Sequence, residues 1–92
     1  MRQDEAETIA IQALAWLAEQ EDLLGAFLGA SGASPADLAT QAASAEFQIA
    51  LLDFLMMDDA WVIGFCQTVG QPYETVMQAR QSLPGGAQMH WT

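Results

Sequence analysis

Phe47 to Phe65 reads FQIALLDFLMMDDAWVIGF and decides the fold. Phe47, Leu51, Phe54 and Leu55 follow the i, i+4, i+7, i+8 spacing of a helix buried along one face. Asp58-Asp59 then breaks the pattern, and a short Asp side chain can accept the free backbone N–H groups that open a new helix. Trp61, Val62, Phe65, Cys66 and Val69 make a second apolar stripe beyond it. The stretch therefore predicts two consecutive helices, a hairpin on which the remaining segments pack.

Working outward, Asp4 and Glu7 have the spacing of a capping box. The helix they open is expected to reach about Gln20 and to bury Ile9, Ala13, Trp16 and Leu17. After the Glu21-Asp22 break comes a second helix, Leu23 to about Ala30, with Leu24, Phe27 and Leu28 inward and Gly29 and Gly32 at its end. Ser34-Pro35-Ala36-Asp37 is a start signal for a short helix held by Leu38. Ser44 is placed to cap the fourth helix, and Gly70 to end the fifth. Pro72 and Glu74 open a sixth, with Tyr73, Val76, Met77 and Leu83 as its inner face, and Pro84-Gly85-Gly86 stops it.

The chain also matches itself. Shifted by 38 residues, Leu14 meets Leu52, Trp16 meets Phe54, Leu17 meets Leu55, Phe27 meets Phe65, Gly32 meets Gly70 and Leu38 meets Val76. The expectation is an all-α protein of five or six short helices, in two pseudo-repeated halves around the central helical hairpin. Residues 1–84 form one domain, with units of about 4–42 and 44–83, and residues 85–92 read as a frayed tail. Two units fall short of the three or more that a free-standing solenoid needs, so the halves are expected to share one core.

Composition narrows the function classes. The 92 residues are 52% hydrophobic but only 15% charged, against about 25% in typical domains. Few charges remain to cover the surface, which points to exposed apolar area and hence to a partner or self-association. Twelve acids face Arg2 and Arg80, there is no Lys, and the net charge is −10. Such a chain repels nucleic-acid backbones and anionic membranes. The opening MRQDEAE lacks the basic-then-apolar pattern of a signal peptide, and the uncharged stretch from Ala60 to Tyr73 is interrupted by Gly64, Gln67, Gly70, Gln71 and Pro72. A cytoplasmic protein is expected.

Three chemistries bear on the function. Catalysis by a nucleophile needs an activating base, but the one His is His90 in the tail, and the lone Cys66 lies between Val62 and Val69 with no cation nearby. No enzyme activity, catalytic residue or cofactor is expected. The acids Glu19, Glu21, Asp22, Asp58 and Asp59 could offer oxygen ligands, but no Asp-x-Asp-x-Asp-Gly run exists and acids favour helix starts for dipole reasons alone, so no metal site is assigned. Cys66-x3-Gly70-x5-Val76 has helix-turn-helix spacing, yet the exposed start of its second helix would offer Tyr73, Glu74, Thr75 and Gln78 with only Arg80 basic. Neither nucleic acid nor membrane is expected as a partner.

The residues Ala13 to Ala18 (ALAWLA), Gly32, Pro35, Phe47, Leu51 to Leu55 (LLDFL), Asp58-Asp59, Phe65, Gly70, Pro72-Tyr73-Glu74 and Ala79-Arg80 together resemble a family of short alphaproteobacterial proteins. It is catalogued as a domain of unknown function, number thirty-five seventy-two. The resemblance runs from Ala6 to about Leu83 and implies a small all-helical protein; it brings no established activity, cofactor or catalytic residue.

Met56, Met57 and Trp61 remain as the candidate interaction surface, because Phe54 and Leu55 already occupy the core stripe. Methionine pairs and Trp suit adaptable contact surfaces. The leading expectation is a protein–protein interaction module with an apolar, acid-rimmed surface, bound to itself, as a dimer or larger, or to a basic partner. The alternatives are an acidic mimic of nucleic acid that occupies a DNA-binding protein and, third, a divalent-metal-binding protein.

Overall fold

The computed structural model describes residues 1–20, 22–32 and 34–85. They form six α-helices, α1 Gln3–Glu19, α2 Leu23–Ser31, α3 Leu38–Gln41, α4 Ala45–Leu55, α5 Asp59–Val69 and α6 Thr75–Ser82, with a 3-10 turn, Pro35–Asp37, before α3. No strand occurs among the described residues, so the protein is all-α. The tail AQMHWT, with His90, lies outside them, as do Gly86, Glu21 and Ala33.

Helix α4 sits deepest. Phe47, Leu51, Phe54 and Leu55 are buried as their spacing demands, and Gln48, Ile49 and Leu52 are buried too, so only a narrow strip around Glu46, Ala50 and Asp53 meets solvent. The main neighbour of α4 is α1, which lies against both α4 and α6 along much of its length. Ile9, Ala13, Trp16 and Leu17 are buried on α1, joined by Ala6 and Ala10. Three of those six are Ala, and α6 presents Ala79 and Val76, so the small side chains let the two helices approach closely. The α4–α5 pair meets chiefly through side chains, with Phe54 stacked on Trp61 at 5.2 Å between ring centroids. Helix α1, more than α5, is what α4 is built against.

An aromatic chain ties the layers together. Phe27 of α2 stands edge-on to both Phe47 and Phe54, each at 5.4 Å, and Trp16 meets Phe65 edge-on at 6.2 Å. Such edge-to-face pairs each add ~0.5–1.5 kcal/mol beyond simple burial. The buried Gln48 donates from Nε2 to the Ala42 carbonyl at 2.7 Å, while its Oε1 has no partner among the described residues. An unpaired buried acceptor costs ~1–3 kcal/mol, which the surrounding apolar burial must offset.

The helix ends agree with the sequence in part. Ser44 Oγ accepts from Phe47 N–H at 3.4 Å, and Asp58 Oδ1 from Ala60 N–H at 2.8 Å. Gly32 and Gly70 close α2 and α5 with φ of 78° and 72°, the left-handed geometry that a side chain disfavours. Four expectations are corrected. Helix α1 starts at Gln3, where Glu5 rather than Glu7 reaches back to accept the Arg2 N–H at 3.1 Å. Asp22 takes the cap position of α2 without a side-chain cap bond. Ser34 does not cap through its oxygen; its hydroxyl donates to Asp37 Oδ2 at 2.8 Å. Gly29 lies within α2, not at its end.

Candidate interaction surface

The turn between α4 and α5 is built by backbone geometry. The Met56 amide closes the last turn of α4 on Leu52 O at 3.0 Å, the Met57 amide reaches Phe54 O at 3.1 Å, and Asp58 then starts α5. At the far end of α5, Gly70 reverses the chain and the Gln71 amide bonds Cys66 O at 2.9 Å. Pro72 and Tyr73 lead into α6, which begins at Thr75. The Tyr73 hydroxyl donates to Asp59 Oδ1 at 2.6 Å and so joins the segment before α6 to the first turn of α5.

Between these elements lies a cavity of about 220 Å³ lined by Met56, Val62, Tyr73, Glu74, Val76 and Met77. Val62 and Val76 are buried, and Met56 is half-buried against the core. Tyr73 and Met77 are about half exposed, at 47% and 50%, and Met57, next to Met56 in the chain, is 76% exposed. The predicted trio therefore divides. Met56 lines the cavity, Met57 stands in solvent beside it, and Trp61 is half-buried with its ring on Phe54, outside the lining.

Tyr73 and Met77 correct the sequence reading, which set them on the inner face of α6. Helix α6 starts at Thr75 rather than Pro72, which leaves Tyr73 ahead of the helix; the buried positions are Thr75, Val76 and Ala79, continued by Leu83, and Met77 falls to one side of them. The signal was present as the i, i+3, i+7 spacing of Val76, Ala79 and Leu83. Thr75, expected at the exposed start of a recognition helix, is buried, and its hydroxyl lies 3.4 Å from Gln71 Oε1. Arg80 is engaged with Asp53 of α4.

The electrostatics of this face are acidic. Glu74 lines the cavity, Asp59 holds the Tyr73 hydroxyl, and Asp58 precedes it. The hydrogen bond to Asp59 favours the neutral phenol and raises the Tyr73 pKa, helped by partial burial and the Asp59 charge. Burial, then the charge of Glu74, push the Cys66 thiol above its ordinary range, which makes it a poor nucleophile. Among the described residues no group of three or more His, Cys, Asp or Glu could hold a metal ion, and no helix is long and apolar enough to cross a membrane.

No curated protein and no solved structure matches the sequence. A family profile matches residues 3–86, nearly the whole chain, and its residues coincide with those that build this fold. The chain belongs to the family described as Protein of unknown function (DUF3572).

Proposed function

We propose that this protein is a protein–protein interaction module, and that the face around Met56, Met57, Tyr73 and Met77 is where it binds. The observation that carries the reading is the cavity between α4, α5 and α6, whose floor is Val62 and Val76 and whose mouth is Met77, Tyr73 and Glu74. Pockets of this build, apolar inside with a few polar groups at the edge, receive side chains of a partner. The occupant is either a second copy of the chain or a different protein. With a charge of −10 it suits neither nucleic acid nor an anionic membrane.

The test compares wild type with Met77→Glu, a change at an exposed position. Sedimentation equilibrium at low and high salt reads self-association, and binding to captured partners reads the rest. The expected result is association that Met77→Glu abolishes. Association untouched by Met77→Glu would refute this face. A partner released steeply by salt, with no loss on Met77→Glu, would favour the nucleic-acid mimic instead.

A further inference from the structure

The shape and charge of the cavity narrow its occupant, and this step rests on the interaction reading above. A volume of about 220 Å³ exceeds the ~150 Å³ of an apolar cavity that admits benzene, so one large apolar side chain fits. The walls reinforce this. Val62 and Val76 are fixed by the core, while Met56 and Met77 have flexible thioether side chains that adapt to an aliphatic or aromatic guest.

The mouth carries Glu74, with Asp59 held on the Tyr73 hydroxyl and Asp58 beside it in the chain. Among the described residues, Arg2 pairs with Asp4 and Arg80 with Asp53, acids other than Glu74 and Asp59. A second copy would bring another acidic rim to it, because a two-fold interface joins the same patch on both subunits. A partner with cations beside its apolar anchor meets both demands. An amphipathic helix supplies them together, with apolar residues at i, i+3 and i+4 and Lys or Arg flanking them.

We propose that the Met56–Met77 cavity receives a large apolar side chain from a basic amphipathic helix of another protein, whose Lys or Arg residues lie on the Glu74 and Asp59 rim. The partner is thus identified by chemistry, an apolar anchor between cations.

The test uses the full chain and four synthetic helical peptides of equal length, built from Leu with Lys, Leu with Gln, Leu with Glu, and Lys with Gln. Binding is read by anisotropy of labelled peptide and by the methyl signals of Met56 and Met77. The Leu/Lys peptide is expected to saturate at one per chain, to shift both methyl signals, and to bind at least about tenfold tighter than the other three. Met77→Ser should weaken it by about tenfold, and Glu74→Gln by several-fold with a shallower salt dependence. Both positions are exposed, and melting curves confirm that the variants fold. Equal binding of Leu/Gln would overturn the basic partner yet leave the cavity as a binding face. Equal binding of Lys/Gln would reduce the effect to plain charge attraction and overturn the inference. Self-association at this face, lost in Met77→Ser, would make a second copy the occupant. Binding of no peptide, or binding indifferent to Met77→Ser, with no self-association, would overturn this inference and the interaction reading together.

Discussion

Arg80 and Asp53 form a two-pronged ion pair that fastens α6 to α4. Arg80 Nη2 donates to Asp53 Oδ2 at 3.1 Å, and Nε donates to Oδ1. The Arg80 side chain is 16% exposed and that of Asp53 42%, so the pair sits at the boundary of the core. Forked pairing is stronger than a single contact, but the solvent on the Asp53 side screens it.

Arg80→Met, which keeps an apolar stem, should therefore destabilise the fold by about 1 kcal/mol, and Asp53→Asn by a similar amount. At about 4–8 °C of melting temperature per kcal/mol for a domain of this size, the loss is measurable. A double-mutant cycle should give a coupling of ~0.5–1 kcal/mol. Strict additivity of the two changes would mean that the pair contributes nothing.

The paired acids at the start of α5 should separate by role. Asp58 caps the helix, so Asp58→Ala should cost ~0.5–2 kcal/mol. Asp59 lies one position inside and loses only a dipole interaction and an exposed hydrogen bond, so Asp59→Ala should cost no more than about 0.5 kcal/mol. Urea unfolding of both variants checks the order; a larger loss for Asp59→Ala would contradict the cap assignment.

Tyr73 is the one tyrosine of the chain, so phenolate absorbance reports it alone. Its pKa is raised, which means that the folded state holds the proton more tightly than the unfolded state. The stabilising effect is then complete below the ordinary tyrosine value of about 10 and is lost as pH rises through the folded value. Titration should show a midpoint above that of free tyrosine, and Asp59→Asn should bring it down. An unchanged midpoint in Asp59→Asn would break the link between the two residues.

Two glycines inside helices should respond oppositely to Ala. At Gly29 of α2 an added Cβ meets nothing within 4 Å, so Gly29→Ala should stabilise by about 0.5–1 kcal/mol through lower unfolded-state entropy. At Gly64 of α5 the Cβ would lie 3.1 Å from Trp16 Cζ2, on a ring held in the core against Phe65. Gly64→Ala should gain nothing or lose stability and should alter the near-ultraviolet dichroism of Trp16. Equal stabilisation by both changes would show that the ring yields freely.

Millimolar Ca2+ or Mg2+ should leave the melting temperature unchanged. A ligand that binds the folded state must raise it by mass action, and no described cluster has enough carboxylates to bind one. A clear upward shift would reopen a role for the acids beside the helix turns.

The sequence announced its core wherever large apolar residues carried the period. Phe47, Leu51, Phe54 and Leu55 are buried as spaced, and Ser44, Asp58 and Gly70 do their work through the nearest few peptide groups. Ala6 and Ala10 were silent because Ala suits a buried and an exposed helix face equally. Gln48 and Thr75 are polar residues buried by the packing of helices distant in sequence, which no local pattern encodes. The candidate surface was half legible for the same reason. Met56 and Met57 are identical in sequence terms, and only the arrival of α6 makes one a wall and leaves the other in water. Tyr73 lies ahead of α6, and Met77 sits one residue, about 100°, round the helix from the buried Val76, so neither faces inward.

The packing of α1 against α6 also sets an order of events during synthesis. Helix α1 packs extensively against α6, which is made only after the four helices between them. Until Thr75–Ser82 has emerged, the stripe of Ala6, Ile9, Ala10, Ala13 and Leu17 lacks part of its cover, and the contacts that complete it join segments far apart in sequence. Contacts between distant segments form late because the intervening chain must first be ordered. Helical elements can flicker early, but the native core closes only after translation has passed α6, and a nascent chain stalled at Gly70 displays an apolar helix face that chaperones would recognise.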